Sequence, residues 1–230
     1  CSTAAGPAFE GMHISYGMRA SAGAIDKVKL ENDDIVVSTI EGALPHGICG
    51  TGLVDAVASL LNAGIIDDTG RILSQGELDK KVSAKLSARI IEGKNGYDFV
   101  LWQSETKKIL LTQKDVRELQ LAKGAIRSGV ESLKKILKVN NADIEEVLLA
   151  GAFGNYLNPE SALRIGLIPD FSLSKVKSIG NAAFEGAKMA LMSVWSRKEA
   201  DEIGRKVKYI ELSTVPDFNE EFSNSMMFPN

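Results

Sequence analysis

Val147-Leu-Leu-Ala-Gly151-Ala-Phe-Gly154-Asn-Tyr-Leu157 is an apolar run that stops abruptly at two spaced glycines, and its reading decides the fold. The run from Glu146 to Ala150 is short, apolar and bounded, which predicts a parallel strand covered on both faces. At Gly151 the missing Cβ permits φ > 0 and lets a flat ligand or a phosphate approach the peptide itself. Asn158-Pro159-Glu160-Ser161 then predicts a helix start, with Asn158 as N-cap and Pro159 at the first helical position. Strand, glycine turn and helix in this order are where open α/β sheets hold nucleotides. The spacing is neither a full dinucleotide fingerprint nor a P-loop. On these residues alone, a tight turn without a ligand accounts for the stretch equally well.

The 230 residues are 44% hydrophobic and 25% charged, the balance of a globular protein with a real core. A net charge of −3 without a long basic run argues against a nucleic-acid or anionic-membrane surface. Two cysteines (Cys1, Cys49) and two histidines (His13, His46) are too few and too badly spaced for a zinc site, an iron–sulfur cluster or a disulfide framework. No apolar run approaches the ~20 residues of a membrane span, and a cytoplasmic location is expected. The chain opens at Cys1 directly into a dense small-residue stretch, so it is expected to be a piece of a longer protein.

Outward from the central stretch, Cys1 to Gly11 carries the hydroxyls of Ser2 and Thr3, Gly6, and one carboxylate, Glu10. Such a segment can present N–H groups and hydroxyls to phosphate, with Glu10 holding Mg2+ through water; a packed helix start with a solvated Glu reads as well. Ala24–Glu31 and Asp34–Ile40 predict strands. Pro45 to Gly52 leads into a helix over Leu53–Ala63 that Thr51 or Gly50 caps and Gly64 ends. Without a following lysine this glycine loop is not a P-loop, and packing explains it better than an anion; His46 and Cys49 lack a third orienting group and read as packing residues. Residues 76–87 predict a short helix, and Tyr97–Gln103 with Lys108–Leu111 a hairpin. Thr112-Gln-Lys-Asp115 predicts a capping box opening a helix to about Lys138, with Leu119, Ala122, Ile126, Val130, Leu133 and Leu137 as its apolar stripe. Gly124 within it asks for a reason: either another helix comes close, or a nucleobase lies on the helix beside Gln120 and Lys123. Residues 179–192 read as a small-residue helix, with Ala183, Ala187 and Ala190 suited to tight helix contact. A further helix is expected at 197–206, a strand at 207–212 and an amphipathic end at 217–227.

Taken together, Cys1 to Gly11, Gly17 to Ile25, Gly47 to Asp55, Val116 to Arg127, Leu149 to Leu157 and Pro216-Asp-Phe-Asn219 resemble the reductive activators of corrinoid proteins, in the right order and over almost the whole chain. The resemblance implies an α/β fold: a ribonuclease H-like lobe of the actin, sugar kinase and heat-shock chaperone ATPase superfamily. This is the C-terminal lobe of the ATP-binding domain, with a core at residues 1–64 and 112–230 and a smaller α+β subdomain inserted at 65–111. A ferredoxin domain with a 2Fe–2S cluster and a first ATPase lobe are expected in the parent protein, outside this chain.

The same resemblance implies site residues. Gly151, Ala152, Phe153 and Gly154 match the adenosine motif, and Gln120, Lys123 and Gly124 fall where related ATPases lay a helix against adenine and ribose. Ser2, Thr3, Gly6 and Glu10 would sit near the phosphates and Mg2+. Residues 181–186 match a hinge helix, although Phe184 stands where a small residue is expected. The implied function is ATP binding that drives Co(II) to Co(I) in a corrinoid iron–sulfur protein or a corrinoid methyltransferase component, in a homodimer. Two readings compete: a small-molecule kinase of the same superfamily, which needs a base for which only Glu10 and Asp55 are candidates, and a non-catalytic scaffold for dimerisation or partner binding.

Overall fold

The computed structural model describes residues 1–229. Its first sheet forms from β1 (Ala24–Glu31), β2 (Asp34–Thr39) and β3 (Gly47–Ile48), in the order β2-β1-β3. β1 pairs antiparallel with β2 and parallel with β3, and a bulge at Asp26 bends β1. α1 (Gly50–Asn62) lies across this sheet and buries Leu53, Val54, Val57, Leu60 and Leu61, the face its periodicity predicts. Its N-cap is Cys49, not Thr51 or Gly50, and no side chain caps it. Gly64 at φ +70 ends it as expected.

The expected helix over 76–87 is not continuous. A 3-10 turn at Gln75–Glu77, closed by a Ser74/Glu77 capping box, and a single turn of helix, α2 (Ala84–Ser87), stand in its place. Capping residues at both Ser74 and Ser83 start two short helices where one was read. β4 (Ile90–Gly93), which the sequence reading missed, joins the expected hairpin of β5 (Gly96–Gln103) and β6 (Lys108–Leu111) in an antiparallel sheet. Arg89 ties this sheet to the first: it grips Asp34 at the start of β2 through two bonds of 2.7 and 2.9 Å and donates to the carbonyls of Val100 and Leu101 on β5. The apolar side chains of 65–111, Phe99, Ile109 and Leu111 among them, run into one continuous cluster with those of α1.

α3 (Gln113–Leu137) opens on the expected capping box. The Thr112 hydroxyl accepts from the Asp115 N–H at 3.2 Å, and the Asp115 carboxylate accepts from the Thr112 N–H at 2.9 Å. Its stripe is buried at Leu119 and Ala122, half-buried at Ile126, Val130 and Leu133, and exposed at Leu137. β7 (Val147–Ala150) then pairs in parallel with β8 (Val176–Gly180), a strand that the reading of 171–178 as a connection missed. The alternation of half-buried and exposed residues along β7 corrects the expectation of a strand covered on both faces, because within the described residues the sheet has only these two strands and Leu148 points outward.

α4 (Gly151–Tyr156) starts directly at the end of β7, and α5 (Pro159–Arg164) follows with the Asn158 side chain accepting from the Glu160 N–H at 3.0 Å, as read. Then come α6 (Ala182–Met192), α7 (Val194–Lys206) and α8 (Phe218–Met226). Ala183 and Ala187 on α6 are exposed, so the tight helix contact expected there is not made among the described residues. Residues 207–211 carry no regular structure and pass into a 3-10 turn at Leu212–Thr214; among the described residues the strand expected over 207–212 lacks a ladder. α8 folds back along α3.

Candidate functional site

The end of β7 carries two glycines with two different jobs. Gly151 adopts φ +90, a conformation that a side chain resists, yet a Cβ built there meets no atom within 4 Å. Its requirement is thus conformational, and the space beside it is open. Gly154 is buried, and its Cβ would come 3.2 Å from the Leu149 carbonyl carbon, so its smallness lets α4 fold back onto its own strand. The Ser178 hydroxyl on β8 donates to the Gly154 carbonyl at 3.1 Å and fixes the turn from the neighbouring strand. Sequence reading missed Ser178 because nothing local marks it; only the β7/β8 register puts it there. Ala152 is exposed and Phe153 half-buried.

Phe153 connects this turn to the N-terminal segment, where its ring lies 4.7 Å from that of Phe9. Glu10, next to Phe9, is exposed at the end of a 3-10 turn (Ala8–Glu10) that Gly11 closes at φ +80. Ser2 and Gly6 are exposed, the latter at φ +68 with open space around it. Thr3 instead packs on α3, its Cγ2 2.6 Å from where a Gly129 Cβ would stand. Thus Phe9 links the N-terminal segment to the glycine turn through one aromatic contact, while Thr3 is turned toward the helix.

Gln120, Lys123 and Gly124 have a different neighbour. All are buried, and the end of α8 with the residues that follow it lies over them. Gln120 Nε2 donates to the carbonyls of Thr69 (3.0 Å) and Met226 (3.1 Å), and its Oε1 accepts from Arg117 at 2.6 Å. Lys123 Nζ donates to the Met227 carbonyl and sits 5.1 Å over the Phe228 ring. A Cβ on Gly124 would lie 3.0 Å from Met226 Cγ, so the close helix approach considered from sequence is the one observed. Burial and the nearby Arg127 charge push the Lys123 ammonium down to about 7, whereas the carbonyl and ring face favour the charged form. Each of these three residues thus contacts the chain's own carboxyl end.

The remaining candidates settle by burial. Gly50 and Gly52 are consumed by backbone approach, since a Cβ on either would come 2.0 Å from the carbonyl oxygens of Phe9 and Ile25, respectively. Cys49 is buried with its Sγ–H directed at the Ile25 carbonyl, while His46 is exposed, so the two are not a reactive pair. Asp55 is 4% exposed and its carboxyl is pushed up by burial, with Ser161 and Val28 hydrogen bonds opposing and Asp26 adding repulsion. A base in that position cannot reach a bulk substrate. Two open clefts, of about 540 and 520 Å3, flank the sheet of β4, β5 and β6 rather than the glycine turn; Arg71, Tyr97, Lys114 and Arg117 line the first, and Asp34, Lys85 and Arg89 the second.

Among the described residues, no cluster of three His, Cys, Asp or Glu side chains could hold a metal ion. Mg2+ at Glu10 would therefore take most of its oxygens from phosphate and water, a donor set that suits this ion. The two cysteines, one exposed and one buried, do not form a cluster site. No helix among the described residues is long and apolar enough to cross a membrane.

Comparison with known proteins places the whole chain, residues 1–230, within the model of the C-terminal domain of RACo, the ASKHA domain. The corrinoid activation enzyme RamQ of Eubacterium limosum is 40% identical over 230 residues, which are 99% of this chain and 39% of that protein. A [Co(II) methylated amine-specific corrinoid protein] reductase of Methanosarcina barkeri is 28% identical over 242 residues, covering 95% of this chain and 40% of the relative. A solved structure of a reductive activator for corrinoid, iron–sulfur protein superposes with a TM-score of 0.82 at 39% identity, over 100% of this chain and 36% of that one. The chain thus spans about two-fifths of the length of the curated relatives it matches.

Proposed function

The chain belongs to the family of RACo C-terminal ASKHA domains, and from that premise we propose that it is the nucleotide-binding part of an ATP-dependent activator that drives Co(II) to Co(I) in a corrinoid protein. The observation that carries the reading is Gly151: positive φ, open space, and a place at the carboxyl end of a parallel strand, where open α/β sheets take their ligands. In this proposal Gly151 to Gly154 present bare backbone to the nucleoside. Ser2, Gly6 and Glu10 approach from the phosphate side, Glu10 through water to Mg2+, with Thr3 anchoring that segment to α3. Gln120, Lys123 and Gly124 hold the C-terminal segment on α3, and in this proposal they contact nucleotide where that segment is displaced.

The chemistry then divides. ATP supplies the drive, and this chain's residues hold the nucleotide so that one arrangement of the surrounding polypeptide is favoured over another. The electron comes from a centre that this chain does not contain. In the same reading the division into a core at 1–64 and 112–230 and an inserted unit at 65–111 places the insert away from the glycine turn, and a cytoplasmic homodimer is the working assembly. The kinase reading loses one of its two candidate bases to the burial of Asp55. The test is made on the natural polypeptide that contains these residues: ATP hydrolysis and the Co(I) absorbance of a corrinoid protein, each with and without the other. Co(I) appearing only with ATP and reductant supports the proposal. ATP turnover indifferent to the corrinoid protein moves the reading to a kinase, and no nucleotide binding moves it to a scaffold.

A further inference from the structure

The larger open cleft, of about 540 Å3, lies where the loop at Arg71 and Ile72, the β4–β5 turn at Asn95 and Gly96, and the first turns of α3 meet. Each wall is pinned by its neighbours. The Gln113 side chain holds the loop, its Oε1 accepting from the Ile72 N–H at 2.8 Å and its Nε2 donating to the Gly70 carbonyl at 2.7 Å. Gly96, at φ +126, lays the turn on Gln113, where a Cβ would stand 3.8 Å from the Gln113 Cγ. Arg117 Nη1 donates to the Thr69 carbonyl at 2.7 Å and to Gln120 Oε1 at 2.6 Å, so neutral acceptors fix the guanidinium and leave its charge uncompensated. Among the described residues its Nε and Nη2, and the Lys114 ammonium, have no partner.

We propose that this cleft binds a small anionic ligand whose phosphate or carboxylate group is gripped by Arg117 and Lys114 and whose ring lies against Tyr97. Charge carries the argument. Acidic residues outnumber basic ones 30 to 27 in the chain, yet Arg71, Lys114 and Arg117 line the cleft and no carboxylate does. Arg71 is answered by Glu77 at 2.6 Å and Asp67 at 3.3 Å, whereas Lys114 and Arg117, neighbours one turn apart on α3, are answered by neither. The carboxylates of Asp98 and Asp115 are buried and already accept the Gln113 and Thr112 N–H groups. Lys114 also stands in the first turn of α3, where the helix dipole opposes a cation, and a bound anion relieves that opposition. A guanidinium held in advance loses little freedom on binding, and its Nε and Nη2 edge offers two parallel donors. Half-buried Tyr97 supplies an aromatic face in the same cleft, and the volume falls within the range of small-molecule sites. This inference stands apart from the nucleotide reading and does not use it.

The test adds phenyl phosphate, benzoate or inorganic phosphate, without nucleotide, to the natural polypeptide that contains residues 1–230. Acetylation of Lys114 is followed by mass spectrometry, with Lys138 at the other end of α3 as the exposed reference. The expected result is acetylation of Lys114 slowed about threefold or more by phenyl phosphate or benzoate, no change at Lys138, and a midpoint about tenfold weaker in Arg117→Gln. The tighter of the two ring-bearing anions tells a phosphate site from a carboxylate site. Equal slowing at Lys114 and Lys138, or the same slowing by sodium chloride at matched ionic strength, overturns the proposal, because either means screening alone. An unchanged midpoint in Arg117→Gln overturns it too, and protection by inorganic phosphate equal to that by phenyl phosphate overturns the contact with Tyr97. Should Arg117→Gln misfold, Lys114→Ala at its exposed position is titrated with phenyl phosphate by calorimetry, and an affinity equal to that of the unsubstituted protein overturns the proposal.

Discussion

Gly151→Val separates the two roles that the glycine turn can have. Within the chain a Cβ at this position meets nothing within 4 Å, so the substitution costs stability only through the backbone, which sits at φ +90. Holding a β-branched residue there costs about 1–2 kcal/mol. For a domain of this size that lowers Tm by roughly 2–8 °C. A nucleotide resting on the bare peptide would lose far more, because the two Val methyls occupy the space into which it packs; a loss of at least ~100-fold, about 2.7 kcal/mol, is expected. Gly151→Ala, which has the same φ problem but less bulk, should retain more affinity at a similar Tm. The assay pairs calorimetric melting with titration of ATP into the natural polypeptide. Unchanged affinity together with the small Tm loss would show that no ligand approaches this turn, and the adenosine-motif assignment would fall. A stability loss far above ~3 kcal/mol would instead mean that the space beside Gly151 is filled.

Other outcomes follow from the packing and charges. Gly52→Ala puts a Cβ 2.0 Å from the Ile25 carbonyl oxygen, backbone against backbone, and should cost about 3 kcal/mol or more; near-native chemical denaturation would refute the tight seating of α1. Asp34 is held below the usual carboxylate range, first by its Arg89 hydrogen bonds, so its contribution is present above pH ~4 and is lost as pH falls through its lower folded value. Asp34→Asn should therefore cost about 1–2 kcal/mol at pH 7 and almost nothing near pH 2, read from urea melts at both pH values. Asp55 is pushed up by burial, so the sign reverses: the fold is favoured while it is protonated, and that advantage is lost as pH rises through its folded value. Asp55→Asn should raise Tm at pH 7 and change it little at pH 4; a lower Tm at pH 7 would show that the charged carboxylate is well satisfied where it lies.

Much of the site was readable because it rests on local chemistry. Gly151 announces itself as a glycine that ends an apolar run, and its positive φ is the reason. Thr112 and Asp115 accept from each other's N–H groups and Asn158 accepts from the Glu160 N–H, all partners within three residues, so these caps appear in the structure as read. Ser178 was invisible, since its hold on Gly154 depends on which strand lies beside β7. The placement of Gln120, Lys123 and Gly124 was equally beyond local inference: helical spacing groups them on one face but does not say whether that face meets a ligand or the chain's own carboxyl end.

The sequence by itself determined the elements whose partners lie within a few residues: the strands β1 and β2, the β5/β6 hairpin, the start of α3, and the turn that closes β7. It also determined membership in a family, because many short segments recur in order over the full chain. Only the tertiary structure decided which glycines serve conformation and which serve close approach, which buried lysine binds a carbonyl, and which apolar helix is left without cover. Each of those outcomes is set by a neighbour distant in sequence. Residues 207–211 show the limit from the other side: their β-branched and aromatic content suits a strand, but a strand exists only where a second backbone supplies the other half of its hydrogen bonds, and among the described residues none does.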